Sequence, residues 1–164
     1  MKQTLSISAL VLLVTTLISS STPPETAQVY RKKKKVVTYE VGDTAHGGIV
    51  FFVNKDGSHG LVAALTDQMD NSNYQDCYDG INDPLHHDKL GAQYTDWRLP
   101  KLWEAYKMYM NLHMVNLGGF SASGYWTTKE TVGFEKIHVL NFSKGVDFTS
   151  MKSDTYRARG VRSF

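Results

Sequence analysis

Short apolar runs separated by turn residues are the feature that most constrains the fold of this chain. Residues 49–53 and 61–65 are two such runs, and the segment between them contains Asp56-Gly57. Apolar runs of this length, bounded by turn signals, are typical of buried strands, so we expect a β-hairpin here. Further strands are predicted at residues 125–128, 137–142, 146–149 and 158–164.

One helix is predicted in the middle of the chain. Pro100 suits the first turn of a helix, where its missing N–H donor has no partner to lose. The apolar residues that follow at helical spacing are Leu102, Tyr106, Tyr109, Met110 and Leu112. Trp103 and Met108 widen this stripe, which predicts a helix buried on most sides. We expect residues 66–95 to form a long polar loop, with room for one short helix. The fold class predicted is α+β, with short antiparallel strands, one main helix and long loops.

The N-terminal residues have the pattern of an export signal. Lys2 precedes a mainly apolar segment at residues 5–18, and serines follow at residues 19–21. The apolar segment is too short to cross a hydrocarbon core of roughly 30 Å comfortably. We therefore predict a cleaved signal peptide at residues 1–21, and export to the periplasm, the cell surface or the medium.

A basic linker is predicted between the signal and the domain, at residues 22–40. Its positive residues are Arg31, Lys32, Lys33, Lys34 and Lys35. Residues 36–164 hold 12 Lys and Arg against 15 Asp and Glu, a net charge of −3. The basic run is a candidate site for sulfated or phosphorylated polymers, which bind such segments through counterion release. The alternative is a solvated tether.

Five sequence motifs resemble one known family. In chain order they are GDTAHGGIVFFV, HGLVAA, DWRLPKLWE, GGFSASGYWTTKE and RGVRSF. Residues 41–164 are on this basis similar to the Lcl C-terminal domain family, named after the tip domain of a bacterial collagen-like adhesin. The resemblance implies a C-type-lectin-like fold, related to that of formylglycine-generating enzymes.

The resemblance can be followed position by position. The matching residues are Trp97, Arg98, Leu99, Pro100, Glu104, Tyr125, Trp126, Glu130, Arg159, Val161, Arg162 and Phe164. Thr127 and Thr128 replace two serines of the family pattern, Gly160 replaces an alanine, and Ala105 replaces a leucine. These positions look like framework and do not identify a ligand.

We expect the aromatic residues of these motifs to form the core rather than a platform on which sugars stack; they are Trp97, Trp126 and Phe164. Arg98 and Arg162 are expected to form partly buried ion pairs with Glu104 and Glu130.

An acidic segment offers candidate metal ligands. Asp76, Asp79, Asn82, Asp83 and Asp88 carry oxygen donors of the kind that calcium prefers. His86 and His87, together with Asp88, have donors suited to zinc or another transition metal. Neither set has the spacing of a known ligand pattern, so a solvated loop is expected and a calcium site is the alternative. No other cofactor is predicted.

Catalytic motifs are not recognisable in the sequence. Cys77 is the single cysteine, whereas formylglycine-generating enzymes depend on a cysteine pair. Ser121 and Ser123 lie in no nucleophile motif, and no glycine-rich phosphate loop is present. His46 and His59 lie in glycine-rich turns, where exposed or backbone-bonded imidazoles are usual.

The function predicted, by resemblance, is a non-catalytic, adhesin-like module at the cell surface or in the medium that binds glycans or polyanionic polysaccharide. The alternatives are a structural part of an envelope or matrix assembly and an enzyme of unrecognised type.

Overall fold

The computed structural model describes residues 35–133 and 135–164. This part of the chain is a mixed α+β structure with two sheets and two short helices. The first sheet has the strand order β1-β2-β3-β9 and is antiparallel throughout. Its strands are β1 Thr44–Ala45, β2 Gly48–Val53, β3 Gly60–Ala64 and β9 Val161–Ser163.

The second sheet has five strands in the order β4-β8-β5-β6-β7. They are β4 Met69–Ser72, β5 Gly124–Glu130, β6 Lys136–Asn141, β7 Val146–Met151 and β8 Tyr156–Ala158. The short pairing of β5 with β8 is parallel, and the other pairings are antiparallel.

Two α-helices accompany the sheets, α1 Tyr74–Gly80 and α2 Leu102–Asn111. Single turns of 3₁₀ helix occur at Pro84–His86, Gly91–Gln93 and His113–Val115. The Asn73 side chain caps α1, because its Oδ1 accepts the Asp76 backbone N–H at 2.9 Å.

The predicted strand segments are all found in strands, and the hairpin is formed by β2 and β3. Two details differ. Residues 66–95 contain not only a short helix but also β4, whose sequence MDNS is short and polar and gives no strand signal. Residues 158–164 were predicted as one strand, but they are divided between β8 and β9, because the chain passes there from the second sheet to the first.

The interior of the domain lies between α2 and the sheets. α2 buries Ala105 and Met108 against residues of both sheets, such as Phe51 and Leu140. On its other face, the second sheet packs Trp126 with residues of α1, including Cys77.

The expectation that α2 is buried on most sides is wrong. The exposed fraction of Trp103 is 47% and that of Met110 is 63%. At about 100° per residue, these two side chains point away from the face that carries Ala105 and Met108. The helix therefore has one buried face and one partly apolar outer face.

A buried arginine holds several loops against the sheets. Arg159, between β8 and β9, is 1% exposed. Its guanidinium donates hydrogen bonds to Asp67 Oδ1 at 2.6 Å, the Ala64 carbonyl at 2.9 Å and the Gly118 carbonyl at 2.7 Å. It also lies over the Phe120 ring, 4.2 Å from the centroid. This residue therefore acts as framework.

The N-terminal boundary of the packed region lies earlier than residue 41. Tyr39 donates its backbone N–H to the Gly57 carbonyl at 2.8 Å. Its ring contacts the rings of His46 and Phe164 in edge-to-face geometry. The last part of the predicted linker therefore packs on the domain.

The predicted signal peptide and most of the basic run lie outside the described residues. Within the described ranges, no helix combines the length and the apolar character needed to cross a membrane.

Candidate functional site

The start of α2 is fixed by an ion pair. Arg98 donates two hydrogen bonds to the Glu104 carboxylate, at 2.6 and 2.8 Å. The same carboxylate accepts the Lys101 backbone N–H at 2.8 Å, which satisfies one of the free donors at the helix N-terminus. The hydrogen bonds that Arg98 donates to Glu104 raise the pKa of Arg98, so the guanidinium stays charged. The predicted pairing of Arg98 with Glu104 is confirmed.

The other predicted pair is not formed. Arg162 donates to Asp96 at 2.6 Å and lies over the Tyr94 ring, 3.9 Å from its centroid. Glu130 instead accepts a hydrogen bond from Lys152 at 2.8 Å. The expectation is wrong because Arg162, in β9, belongs to the first sheet, whereas Glu130 lies in β5 of the second.

Trp103 is presented at the protein surface by this fixed helix start. Of the three tryptophans, Trp97 and Trp126 are buried, with exposed fractions of 1% and 0%. Each donates its indole N–H to a backbone carbonyl at 2.9 Å. Trp103, which the sequence analysis assigned to the buried stripe, is about half exposed. Of the three tryptophans, Trp103 is therefore the one whose ring is available to a ligand.

Two open depressions adjoin Trp103. The first has a volume of about 510 Å³, and its lining consists of Lys101, Leu102, Trp103, Tyr106, Thr128 and Lys129. The second has a volume of about 370 Å³ and extends from Trp103 across the ends of β2, β3 and β9. Its polar lining includes Asn54, His59, Arg98 and Ser163. Lys101 and Trp103 line both depressions, so the indole stands between them.

The surface around Trp103 is positively charged. Lys101, Lys107 and Lys129 are exposed, and none of them forms a salt bridge with another described residue. One nearby carboxylate, that of Glu104, is buried and paired with Arg98. This cationic surface lies on a domain whose net charge is negative, so it is a local feature of the site.

A carboxylate next to the first depression is already engaged. Asp147 accepts the Tyr106 hydroxyl at 2.7 Å and pairs with His138 Nδ1 at 2.6 Å. The hydrogen bonds from Tyr106 and then His138 lower the pKa of Asp147, so the carboxylate remains ionised at neutral pH. This cluster connects α2 to β6 and β7, which is a structural use of all three side chains.

The acidic calcium candidates each stabilise a local turn or helix. Asp76 accepts from the Asn73 amide at 2.8 Å and Asp79 from the Gln75 amide at 2.9 Å. Asp83 and Asp88 accept the backbone N–H groups of Leu85 and Gly91, both at 2.9 Å. Asn82 is exposed.

No metal cluster is assembled in the described ranges. These residues contain no group of three or more His, Cys, Asp or Glu side chains that could hold a metal ion. His86 and His87 hydrogen-bond separate backbone carbonyls, those of Gly80 and Ile81, at 3.0 and 2.7 Å. Each of these Asp and His side chains therefore makes its own local hydrogen bond.

The two histidines of the glycine-rich turns lie in different environments. His46 has a positive φ of 52° and stacks on Phe164, with ring centroids 4.5 Å apart. Phe164 is half-buried and lies at the edge of the core rather than in its centre. His59 is exposed, lines the second depression and contacts the Ser58 hydroxyl through Nδ1 at 2.8 Å.

Cys77 is fully buried in α1. Burial, with a smaller contribution from Asp76, raises the pKa of its thiol to about 12. Because the thiolate is the reactive form, this thiol is protected from chemistry at neutral pH.

Of the basic run at residues 31–35, the structure describes Lys35 alone. The residues of the run that lie outside the described part of the chain are Arg31, Lys32, Lys33 and Lys34. Lys35 is exposed.

A scan against models of known protein families and a comparison with curated protein sequences find no match to this chain.

Proposed function

We propose that this protein is an exported, non-catalytic module that binds glycans, with a C-type-lectin-like domain similar to the Lcl C-terminal domain. The observation that carries the proposal is the half-exposed Trp103 between two open depressions, with exposed lysines beside it that form no salt bridge with another described residue. A sugar ring has an apolar face of C–H groups and a polar rim of hydroxyls. An exposed indole suits the face, and surrounding donors suit the rim.

The charge of this surface favours anionic polysaccharide. Lys101, Lys107 and Lys129 would attract carboxylate or sulfate groups, and the basic run at residues 31–35 would add a second, less specific attraction. The two contributions differ in salt dependence. Counterion release weakens steeply with salt, whereas directed hydrogen bonds in a depression respond less.

The absence of a catalytic step is part of the proposal. Glu104 is occupied by Arg98 and the Lys101 N–H, and Asp147 is occupied by Tyr106 and His138. Glu104 is also buried, and both oxygens of each carboxylate accept hydrogen bonds from this chain, which disfavours either one as a general base.

A glycan array tests the proposal. The chain from residue 22 onward is applied with and without calcium, at low and high salt, beside a chain that begins at Val36. We expect specific glycans to be retained by both chains at high salt. If no glycan is retained, the proposal is wrong and a structural role in an envelope or matrix assembly becomes the better explanation. If the chain that begins at Val36 retains no glycan but the longer chain does, binding belongs to the basic run rather than to the domain.

A further inference from the structure

We infer that the ligand of the Trp103 surface is a linear glycan chain that crosses the indole and occupies both depressions. This inference rests on the proposed function and specifies its ligand: an internal stretch of an unbranched polymer, rather than a single or terminal sugar.

The first reason is that the two depressions form one surface. Both are lined by Trp103 and Lys101, so they meet at the indole. Each volume, about 510 and 370 Å³, falls within the range of roughly 300–1,000 Å³ typical of small-molecule sites. A single ring stacked on Trp103 would contact the lining on one side and leave the other side empty.

The second reason is that both sides offer polar groups to a sugar. The first depression provides the ammonium groups of Lys101 and Lys129 and the Thr128 hydroxyl. The second provides the Asn54 amide and the partly exposed Arg98 guanidinium. An apolar ridge with hydrogen-bonding groups on both sides matches a chain whose successive units alternate apolar faces with hydroxyl or acidic substituents.

The third reason is that neither depression is closed. A pocket for a chain end surrounds the terminal sugar, and it excludes a polymer that continues beyond it. Here both depressions open to solvent, so the chain can enter on one side of Trp103 and leave on the other. Binding two linked subsites makes the second contact intramolecular, which raises the affinity for any ligand long enough to span them.

The test is a length series with the chain from residue 22 onward. Heparin-derived and cello-oligosaccharides of two, four, six and eight units serve as the anionic and neutral probes, and dissociation constants are measured in 0.5 M salt to suppress counterion release. For at least one series, we expect affinity to rise about tenfold or more between two and six units and then to level off.

Variants locate the two subsites. One variant alters each depression: Lys129→Ala the first and Asn54→Ala the second. Each is expected to reduce the gain in affinity between ligands of two and six units. Lys144→Ala removes an exposed lysine in the turn between β6 and β7 and serves as the control. It should leave the gain unchanged.

The outcomes separate this inference from the proposed function. A disaccharide that binds as tightly as an octasaccharide, with Trp103 still required, overturns the inference and leaves the proposed function in place. An affinity that keeps rising with length and is insensitive to both Lys129→Ala and Asn54→Ala also overturns it. Failure of both series to bind at any length counts against the proposed function itself, and the inference falls with it.

Discussion

Trp103 packs edge-on against Phe52, with ring centroids 5.9 Å apart and ring planes inclined by 79°. Phe52 belongs to β2, so the contact ties the indole at the start of α2 to the first sheet. About half of the Trp103 surface nevertheless remains in solvent. A ligand would therefore meet an aromatic face that is already oriented. Ordering this side chain on binding would cost less free energy than ordering a freely rotating one.

The tryptophans are predicted to differ in their contribution to stability. Trp126→Ala should lower the free energy of unfolding by about 3–5 kcal/mol, because the side chain is fully buried and its N–H is bonded to the Ser72 carbonyl. Trp103→Ala should cost about 1 kcal/mol, since it loses mainly the contact with Phe52. Urea unfolding measures both. Equal losses in the two variants would contradict the assigned burial.

Most strands of the fold could be predicted because each of these is a local pattern of apolar and turn residues. The ion pair of Arg98 and Glu104 was also predictable, since the two residues lie close together along the chain and flank a helix start. The direction of Trp103 was not. Its sequence neighbours are apolar, and only the packing of α2 on the sheets decides which helix face is buried. A helical wheel places Trp103 opposite Ala105 and Met108, but it does not tell which of the two faces is buried.

The pairing of Arg159 with Asp67 was beyond sequence reasoning for a different reason. The two residues are 92 positions apart, and they meet because β8 and β9 bring the C-terminal segment back to the end of β3. β4 was missed likewise, because a short polar strand is stabilised by its partner β8 rather than by its own sequence.

Asp67→Asn is predicted to be strongly destabilising. It removes the carboxylate that faces the buried Arg159 and also pairs with Arg157, and breaking a buried pair typically costs about 3–5 kcal/mol. Asp70→Asn is the matched control, because Asp70 also pairs with Arg157 but its side chain is 74% exposed. That change should cost less than about 1 kcal/mol. Denaturant midpoints compare the two, and similar losses would show that Asp67 has no special role.

Alkaline pH is predicted to destabilise the domain through Cys77. The folded thiol has a pKa of about 12, whereas the ordinary value is 9.0, so the folded state holds its proton while the unfolded state releases one. The contribution of Cys77 to stability is therefore fully present well below pH 9 and falls as the pH rises from about 9 toward 12, by up to about 1.4 kcal/mol per pH unit.

Cys77→Ala should flatten this decline between pH 9 and 10. Burial also raises the pKa of Tyr125, but from an ordinary value of 10.0, so the thiol is best observed below pH 10. The measurement is the free energy of unfolding as a function of pH. If the variant and the original protein decline in parallel over that interval, the thiol is not the group responsible.

Export is predicted to remove the first 21 residues. The basis is Lys2, the apolar segment at residues 5–18 and the serines that follow it. Mass spectrometry of the protein recovered from the producing cells should find a chain that begins near Thr22. A secreted form that retains Met1 would rule out this processing.

Glycan binding by Trp103→Ala, compared with Met110→Ala, tests the central claim most directly. Both residues lie on the outer face of α2, but Met110 does not line either depression. On the glycans that the original protein retains, Trp103→Ala should weaken binding at least about tenfold, the equivalent of about 1.4 kcal/mol, and Met110→Ala should bind as the original does. If Trp103→Ala, still folded by circular dichroism, binds with unchanged affinity, the surface around Trp103 is not the glycan site.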